Sequence, residues 1–269
     1  MEYRIKDIQK IQLKMLKDVI RVCDENDILY YAAYGTVLGA IRHHGFIPWD
    51  GDVDIYIAEE DLHRFIAVMK EKLCNEYFVD FRDNSKTLRD FPRIGIKGYE
   101  TGLLHIDVFR LAGIPADKRI QKSILKRTRI LHHLVNVKQK GFVLFLIQKR
   151  KIIKVLGTLI ITAPLSLRTL IKWFDKFNMI IPFSNAEYVG NITDDFDRCI
   201  FPKNWLGEGI MVPFEDTFIR VPESYEVYLK QMYGDYMQYP PEKERNRILS
   251  RIYKEVVNPI DGLKTLVYR

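Results

Sequence analysis

The feature that most constrains the fold is a short unit in which a strand, a glycine–threonine turn, a helix and an acidic strand follow one another. Residues 28–34 form an apolar and aromatic run typical of a strand, and this run stops at Gly35-Thr36. Residues 37–42 have helical character, and residues 52–57 alternate with the period of a strand. Strands that alternate with helices predict an α+β domain in which helices pack on a mixed β-sheet.

Periodicity predicts further elements on both sides of this unit. Residues 4–26 and 59–73 have the apolar spacing of amphipathic helices. Further strands are expected at residues 77–82, 93–97, 105–111 and 218–221, and a further helix at residues 224–233.

The acidic strand carries two carboxylates at a spacing that brings them together. Side chains at positions i and i+2 of a strand point to the same face, so Asp52 and Asp54 should project side by side. Two such carboxylates repel each other unless a proton or a cation lies between them, and hard oxygen ligands suit Mg²⁺ or Mn²⁺. Asp107, in a second alternating stretch, is a third candidate ligand. Taken alone, a pair of this spacing is equally compatible with a solvated turn.

The glycine–threonine turn adds an anion-binding element. Gly35 permits close approach of the backbone to a ligand, and the amides that open the next helix would cradle an anion. A phosphate held there, within reach of a carboxylate-bound metal, is the arrangement that phosphoryl or nucleotidyl transfer requires. Arg42 would add a cation, although a surface arginine is an equally good interpretation.

Charge is distributed unevenly along the chain. The sequence has 42 Lys and Arg against 35 Asp and Glu, a net charge of +7. Residues 118–174 contain 14 of the basic residues and no acidic residue, which leaves a net charge of −7 elsewhere. Apolar residues lie between these cations, and the longest uncharged apolar run, residues 155–167, is shorter than the roughly 20 residues that span a bilayer.

The basic segment favours a membrane surface over a nucleic acid as its partner. Cations that flank apolar helical turns are typical of helices that lie in the plane of an anionic bilayer. The alternative is a set of core helices with a solvated basic face. A basic nucleic-acid binder is disfavoured, because the charge is segregated and apolar residues separate the cations.

Cysteine content and the first residues of the sequence indicate a cytoplasmic compartment. The three cysteines are too few and too scattered for a disulfide framework. The first ten residues are charged throughout and lack the apolar core of a secretion signal. We therefore expect a cytoplasmic protein that lies peripherally on the inner face of the cytoplasmic membrane.

Residues 34–55, YGTVLGAIRHHGFIPWDGDVDI, resemble the signature of the LicD family. Members of this family are phosphocholine transferases of bacterial glycans, related to the fukutin-type ribitol-phosphate transferases. The similarity continues at His105-Ile-Asp-Val-Phe109, at Trp205, at residues 212–215, 221–222 and 233–237, and at Pro240-Pro241. The resemblance implies a nucleotidyltransferase-like fold.

Matched residue by residue, the resemblance implies two sets of site residues. The catalytic and metal-binding carboxylates would be Asp52, Asp54 and Asp107. The residues that contact the donor would be Gly35, Thr36, Arg42 and Trp49. Asp107 would either complete the metal site or accept the proton of the acceptor hydroxyl. Trp49 would stack on a base or wall the pocket, with core packing as the alternative.

The resemblance also implies a reaction. The expected activity is Mg²⁺-dependent transfer of phosphocholine, or a similar group, from a CDP-activated donor to a hydroxyl of a bacterial cell-surface glycan, with release of CMP. The acceptor would be lipid-linked and would belong to lipopolysaccharide, capsule or teichoic acid. One alternative is transfer of an aminoalkylphosphonate or a polyol phosphate from a CMP- or CDP-activated donor. The other is an inactive relative that binds a glycan or a lipid.

The sequence divides into three predicted segments, and it differs from the family pattern at two positions. Residues 1–116 would form the catalytic core, residues 117–180 a basic helical insertion, and residues 181–269 the C-terminal part of the same domain. Gly51 stands where many members carry an aspartate, and Arg110 stands where the family often has a proline.

Overall fold

The computed structural model describes residues 5–82, 91–98, 104–147, 152–178, 181–191 and 197–256. The helices are α1 (Ile5–Glu25), α2 (Tyr34–His43), α3 (Leu62–Lys72), α4 (Lys118–Ile147), α5 (Ile152–Thr162), α6 (Leu167–Asn178), α7 (Tyr225–Tyr233) and α8 (Glu242–Val256). The strands are β1 (Tyr30–Ala32), β2 (Val53–Ala58), β3 (Tyr77–Asp80), β4 (Arg93–Ile96), β5 (His105–Ile114), β6 (Tyr188–Asn191), β7 (Ile200–Pro202), β8 (Ile210–Phe214) and β9 (Thr217–Val221). The α+β class predicted from the sequence is confirmed.

The chain divides into two compact units. The first consists of Met1–Asp80, Phe91–Arg110 and Lys203–Arg269, and the second of Phe81–Asp90 and Leu111–Pro202. Strand β5 therefore begins in the first unit and ends in the second. The segment predicted as a basic helical insertion, residues 117–180, lies within the second unit.

The first unit contains a β-sheet with the strand order β1-β2-β5-β4-β3. Strand β2 lies between β1 and β5, and its apolar side chains, Val53, Ile55 and Ile57, are completely buried. Antiparallel pairing of β4 with β5 places Arg93 opposite Asp107. Strands β8 and β9 form a separate antiparallel hairpin in the same unit.

Helix α1 covers this core, as its apolar spacing predicted. Its apolar face, which includes Ile8, Leu16, Val19 and Cys23, is buried, and the helix contacts α3. Burial of such a face is the main stabilisation of an amphipathic helix in a protein.

The second unit is built from α4, α5 and α6 together with the end of β5, β6 and β7. Residues Ala112, Ile114, Ile124, Leu125 and Phe174 belong to its main apolar cluster. Within the described ranges, none of the helices combines the length and apolar character that a bilayer crossing requires.

Candidate active site

The first turn of α2 is tied directly to the acidic strand. Helix α2 begins at Tyr34, so Gly35 and Thr36 lie inside its first turn and not ahead of it as the sequence predicted. The buried Thr36 hydroxyl accepts a hydrogen bond of 2.9 Å from the backbone N–H of Asp54. The backbone N–H of Ala33 donates to the Asp54 carbonyl, also at 2.9 Å. These bonds fix Asp54 beside the beginning of α2.

The predicted carboxylate pair lies at the beginning of β2, with Asp54 in the strand and Asp52 just ahead of it. Asp54 is the second residue of β2, and Asp52 lies one residue ahead of this strand. Both are partly exposed, whereas Val53 and Ile55 are completely buried. Since successive strand residues face opposite sides, the two carboxylates share the face turned away from the core.

A further carboxylate, which sequence reasoning missed, lies at Asp50. A Cβ atom added to Gly35 would be only 3.3 Å from Oδ2 of Asp50, so any side chain at position 35 would crowd this carboxylate. The side-chain amide of Gln9 donates to the Asp50 carbonyl at 2.8 Å and positions the residue. The signal was available, because Asp50, Asp52 and Asp54 recur with the period of two that marks one face of a strand.

The carboxylate of Asp107 contacts two side chains, those of Arg93 and His105. Arg93 donates to both of its oxygens, from Nε at 2.6 Å and from Nη2 at 3.2 Å. Nε2 of His105 lies 3.3 Å from Oδ1. Burial alone would raise the pKa of Asp107, but the hydrogen bond with His105 and the charges of His105 and Arg93 outweigh it and lower the pKa. Asp107 is therefore an anion that Arg93 neutralises.

The carboxylates have the donor chemistry for a hard cation, but they are not equally available for one. Asp52 and Asp54 share a partly exposed face and fit Mg²⁺ or Mn²⁺, which keep waters and take substrate oxygens as further ligands. Asp107 could bind such a cation only if the guanidinium of Arg93 moved away from it. In the part of the chain that the structure describes, no three His, Cys, Asp or Glu side chains are gathered as a metal-binding group.

Arg42 lies at the C-terminal end of α2, about 9 Å along the helix axis from Thr36. Its Nη1 donates to the carbonyl of Tyr236 at 2.6 Å, and its Nε donates to Nε2 of His43 at 3.0 Å. Its guanidinium lies over the ring of Tyr239, 4.9 Å from the centroid. The structure thus separates Arg42 from the Gly35-Thr36 turn and joins it to the C-terminal part of the chain.

Trp49 is at the centre of an aromatic and cationic cluster. Its side chain is buried, and its ring centroid lies 6.0 Å from that of His43 and 5.6 Å from that of Tyr239. The guanidinium of Arg245, on α8, lies 5.2 Å from the same centroid. Burial lowers the pKa of His43, and the positive charge of Arg42 lowers it further, so His43 is neutral at pH 7 and accepts the hydrogen bond from Arg42.

The turn ahead of Gly35 holds a strained residue. Tyr34 has a φ of 44°, in the left-handed region that side chains other than glycine seldom adopt. Its backbone N–H donates to the hydroxyl of Tyr228 on α7 at 3.0 Å, and this hydroxyl is 3.2 Å from that of Tyr56. Such strain persists only where surrounding contacts impose it, and it is concentrated at functional sites.

The loop that carries Trp49 is held by the turn between β8 and β9. Glu215 accepts a hydrogen bond from the backbone N–H of Phe46 at 3.0 Å and donates its own backbone N–H to the carbonyl of His44 at 2.8 Å. No local pattern in the sequence predicts this contact, but residues 212–215 belong to the stretches that resemble the family.

The chain is similar in sequence to known proteins over the region that holds the candidate active site. Residues 27–145 match the family described as LicD/FKTN/FKRP, nucleotidyltransferase domain. The lipopolysaccharide cholinephosphotransferase LicD of Haemophilus influenzae is 25% identical over 257 residues, which cover 90% of this chain and 94% of that protein. An uncharacterized protein of Rickettsia typhi is 39% identical over 70 residues, 26% of this chain and 23% of its own length. One of Rickettsia prowazekii is 43% identical over 61 residues, 22% of this chain and 23% of its own length.

These matches indicate a transferase of phosphate-containing groups, which agrees with the predicted class of enzyme. The chain is similar to members of the LicD family, both within residues 27–145 and, at 25% identity, over most of its length.

Proposed function

We propose that the protein transfers phosphocholine, or a closely similar phospho-substituent, from a CDP-activated donor to a hydroxyl of a bacterial cell-surface glycan. The acceptor oxygen attacks the phosphorus that bears the choline group. The bond from this phosphorus to the bridging oxygen breaks, CMP leaves with that oxygen, and the hydroxyl proton passes to a base or to solvent. The fold that supports this chemistry would be the nucleotidyltransferase-like fold expected from the family.

The observation that carries the proposal is the hydrogen bond between Thr36 and Asp54. It joins the first turn of α2, whose backbone amides suit an anion, to the strand that carries the carboxylates. Donor phosphate and metal-binding side chains would therefore meet at one place, as phosphoryl transfer requires. Gly35 allows the phosphate to approach, since it has no side chain to crowd Asp50.

Mg²⁺ held by Asp52 and Asp54 would stabilise the negative charge that develops on the leaving CMP. Asp107 suits a charged role better than that of a general base, because a carboxyl group whose pKa is lowered is a poor proton acceptor. It would orient the site or bind the metal after Arg93 moves away.

Release of CMP from a panel of donors tests the proposal. The full chain is incubated with a glycan acceptor and CDP-choline, CDP-ethanolamine, CDP-ribitol or CMP-aminoethylphosphonate, and CMP is measured by chromatography. We expect CMP and a glycan heavier by the mass of phosphocholine, and loss of both with EDTA. A preference for CDP-ribitol or the phosphonate would support the alternative transfers, and absence of CMP with every donor would support an inactive binding relative.

We also propose that the second unit binds an anionic membrane surface, where it would meet a lipid-linked acceptor on the inner face. Helix α6 exposes three cations on one face at a spacing of four residues, Arg168, Lys172 and Lys176, and Trp173 is exposed beside them. On α5, Ile160 is 74% exposed. The basic residues Lys149, Arg150 and Lys151 lie outside the described residues.

Binding to vesicles tests the membrane contact. Each cation near an anionic surface contributes about 1 kcal/mol, so replacing all three by Gln should weaken binding to phosphatidylglycerol vesicles roughly 100-fold. The control replaces Lys10, Lys72 and Lys230 of the first unit by Gln, with the same change in charge. If both variants lose the same binding affinity, the membrane contact is not specific to the basic face of α6. If the wild-type protein does not bind the vesicles at low salt, the proposed membrane contact is refuted.

A further inference from the structure

Two arginines lie on the same tryptophan in the first unit. The guanidinium carbon of Arg42 is 6.0 Å from the ring centroid of Trp49, and that of Arg245 is 5.2 Å from it. Arg42 also lies 4.9 Å from the centroid of Tyr239. These contacts join the end of α2 to α8, two elements far apart in the sequence. We call the four residues the Trp49 cluster.

The charges of the Trp49 cluster are not balanced by acids. Among the described residues, no carboxylate forms an ion pair with Arg42, whose hydrogen-bond acceptors are backbone carbonyls and the neutral ring of His43. Nε of Arg245 is buried and has no hydrogen-bond acceptor within the described structure. The nearest acid on the same helix, Glu244, pairs with Arg247 instead.

Such an arrangement costs free energy without a ligand. Two like charges near one ring repel each other, and a buried donor without an acceptor pays its desolvation cost in full. Burial also lowers the pKa of Arg42, which shows that its charged form is held at a cost. An anion that contacts both guanidinium groups would remove both penalties.

The chemistry of the cluster selects the anion. Guanidinium groups present planar pairs of N–H donors that match two oxygens of a phosphate, and two such groups suit a diphosphate. A quaternary ammonium group is excluded as the occupant, because two cations already lie on the aromatic faces that would hold it. Tyr239 is 56% exposed, so the cluster is open to a ligand from solvent.

We infer that Arg42 and Arg245 together bind the diphosphate of the nucleotide donor, with Trp49 and Tyr239 as the walls of the site. Trp49 is followed by Asp50, whose carboxylate lies beside Gly35 in the first turn of α2, so a diphosphate held by the two arginines would extend toward that turn. The inference rests on the proposed function for the identity of the donor. It adds Arg245, a donor-binding residue that the family resemblance did not assign, and places it on α8.

Calorimetry on the full chain with CDP, inorganic pyrophosphate and cytidine as probes tests the inference. Loss of one charge-assisted contact should weaken binding of CDP and pyrophosphate about 10-fold or more in Arg245→Gln and in Arg42→Gln, and leave cytidine unchanged. Arg245→Lys keeps the charge but not the paired donors, and should lose less. The control is Arg247→Gln, on the same helix and with a side chain that is 79% exposed, which should bind CDP as the wild type does.

The outcomes separate this inference from the proposed function. If Arg245→Gln melts at a lower temperature but binds CDP like the wild type, Arg245 only packs on Trp49 and the inference is wrong, while the proposed function stands. If the wild type binds pyrophosphate through Arg245 but does not bind CDP, the diphosphate site is supported and the CDP donor is refuted. If the wild type binds neither anion, the diphosphate site and the proposed donor both fail.

Discussion

Arg93 holds both oxygens of Asp107, with Nε at 2.6 Å and Nη2 at 3.2 Å. The guanidinium thus binds both oxygens with which this carboxylate could hold a metal ion. A guanidinium and a divalent cation would bind the same carboxylate oxygens, so the ion pair and a metal site at Asp107 compete.

Arg93→Gln should therefore strengthen binding of a divalent cation. Removal of the competing guanidinium should raise the affinity for Mn²⁺ by about 1 kcal/mol, roughly fivefold, measured by the paramagnetic signal of free Mn²⁺. Arg64→Gln, an exposed arginine of the same unit, is the control. Unchanged Mn²⁺ affinity in Arg93→Gln would show that Asp107 is not a metal ligand and would leave it an orienting role.

Asp52→Asn and Asp54→Asn should each abolish most of the turnover. Each change removes one anionic ligand without altering the shape of the side chain, and loss of such a charge from a transfer site typically costs about 100-fold or more in rate. CMP release at saturating donor is the measurement, with Glu71→Gln on the exposed face of α3 as the control. Wild-type turnover in either aspartate variant would contradict the paired-carboxylate site.

Thr36→Val should lower both stability and turnover, whereas Thr36→Ser should keep both. Valine has nearly the same shape but leaves the backbone N–H of Asp54 without its acceptor, at a cost of about 1–3 kcal/mol. Denaturant unfolding measures the first effect and CMP release the second. Equal stability of the valine and serine variants would mean that the hydrogen bond does not hold the strand.

The features that the sequence predicted are those that depend on the periodicity of a single strand or helix. The face shared by Asp52 and Asp54 follows from the strand period, and the buried face of α1 follows from the helix period. The beginning of α2 could not be predicted in this way. Tyr34 enters the helix with a positive φ because its N–H is bound by the hydroxyl of Tyr228, which lies 194 residues away in the sequence.

The environment of Arg42 was beyond sequence reasoning for the same reason. Its position in the helix that follows Gly35-Thr36 suggested a place beside that turn. In the structure it binds the carbonyl of Tyr236, 194 residues away. Which distant segment covers a side chain depends on the tertiary fold, and neither residue type nor spacing carries that information.

His43 should titrate below its ordinary range, and Arg42→Gln should bring its pKa part of the way back. Burial is the first cause of the lowered pKa and the charge of Arg42 the second, so removal of the charge leaves the effect of burial. Because the folded state binds this proton less tightly, the contribution of His43 to stability is present above the unfolded pKa of about 6.5 and is lost as the pH falls through the folded pKa. NMR titration of labelled histidine is the measurement, and a pKa unchanged by Arg42→Gln would contradict their contact.

Gly51→Asp should destabilise the protein, although many members of the family carry aspartate at this position. Gly51 is buried, and a Cβ atom there would lie 3.2 Å from Cδ1 of Ile5 and 3.2 Å from Cγ2 of Ile8, both on α1. The carboxylate of an aspartate would then be pressed against apolar side chains, and burial of a charge without a partner costs several kcal/mol. We expect a loss of about 3 kcal/mol in the free energy of unfolding, against about 1 kcal/mol for the control Gly51→Ala, which adds only the Cβ atom. Denaturant unfolding of the three proteins is the measurement. Equal stabilities of the aspartate and alanine variants would show that α1 yields to the carboxylate, and that glycine at position 51 is not required by its packing.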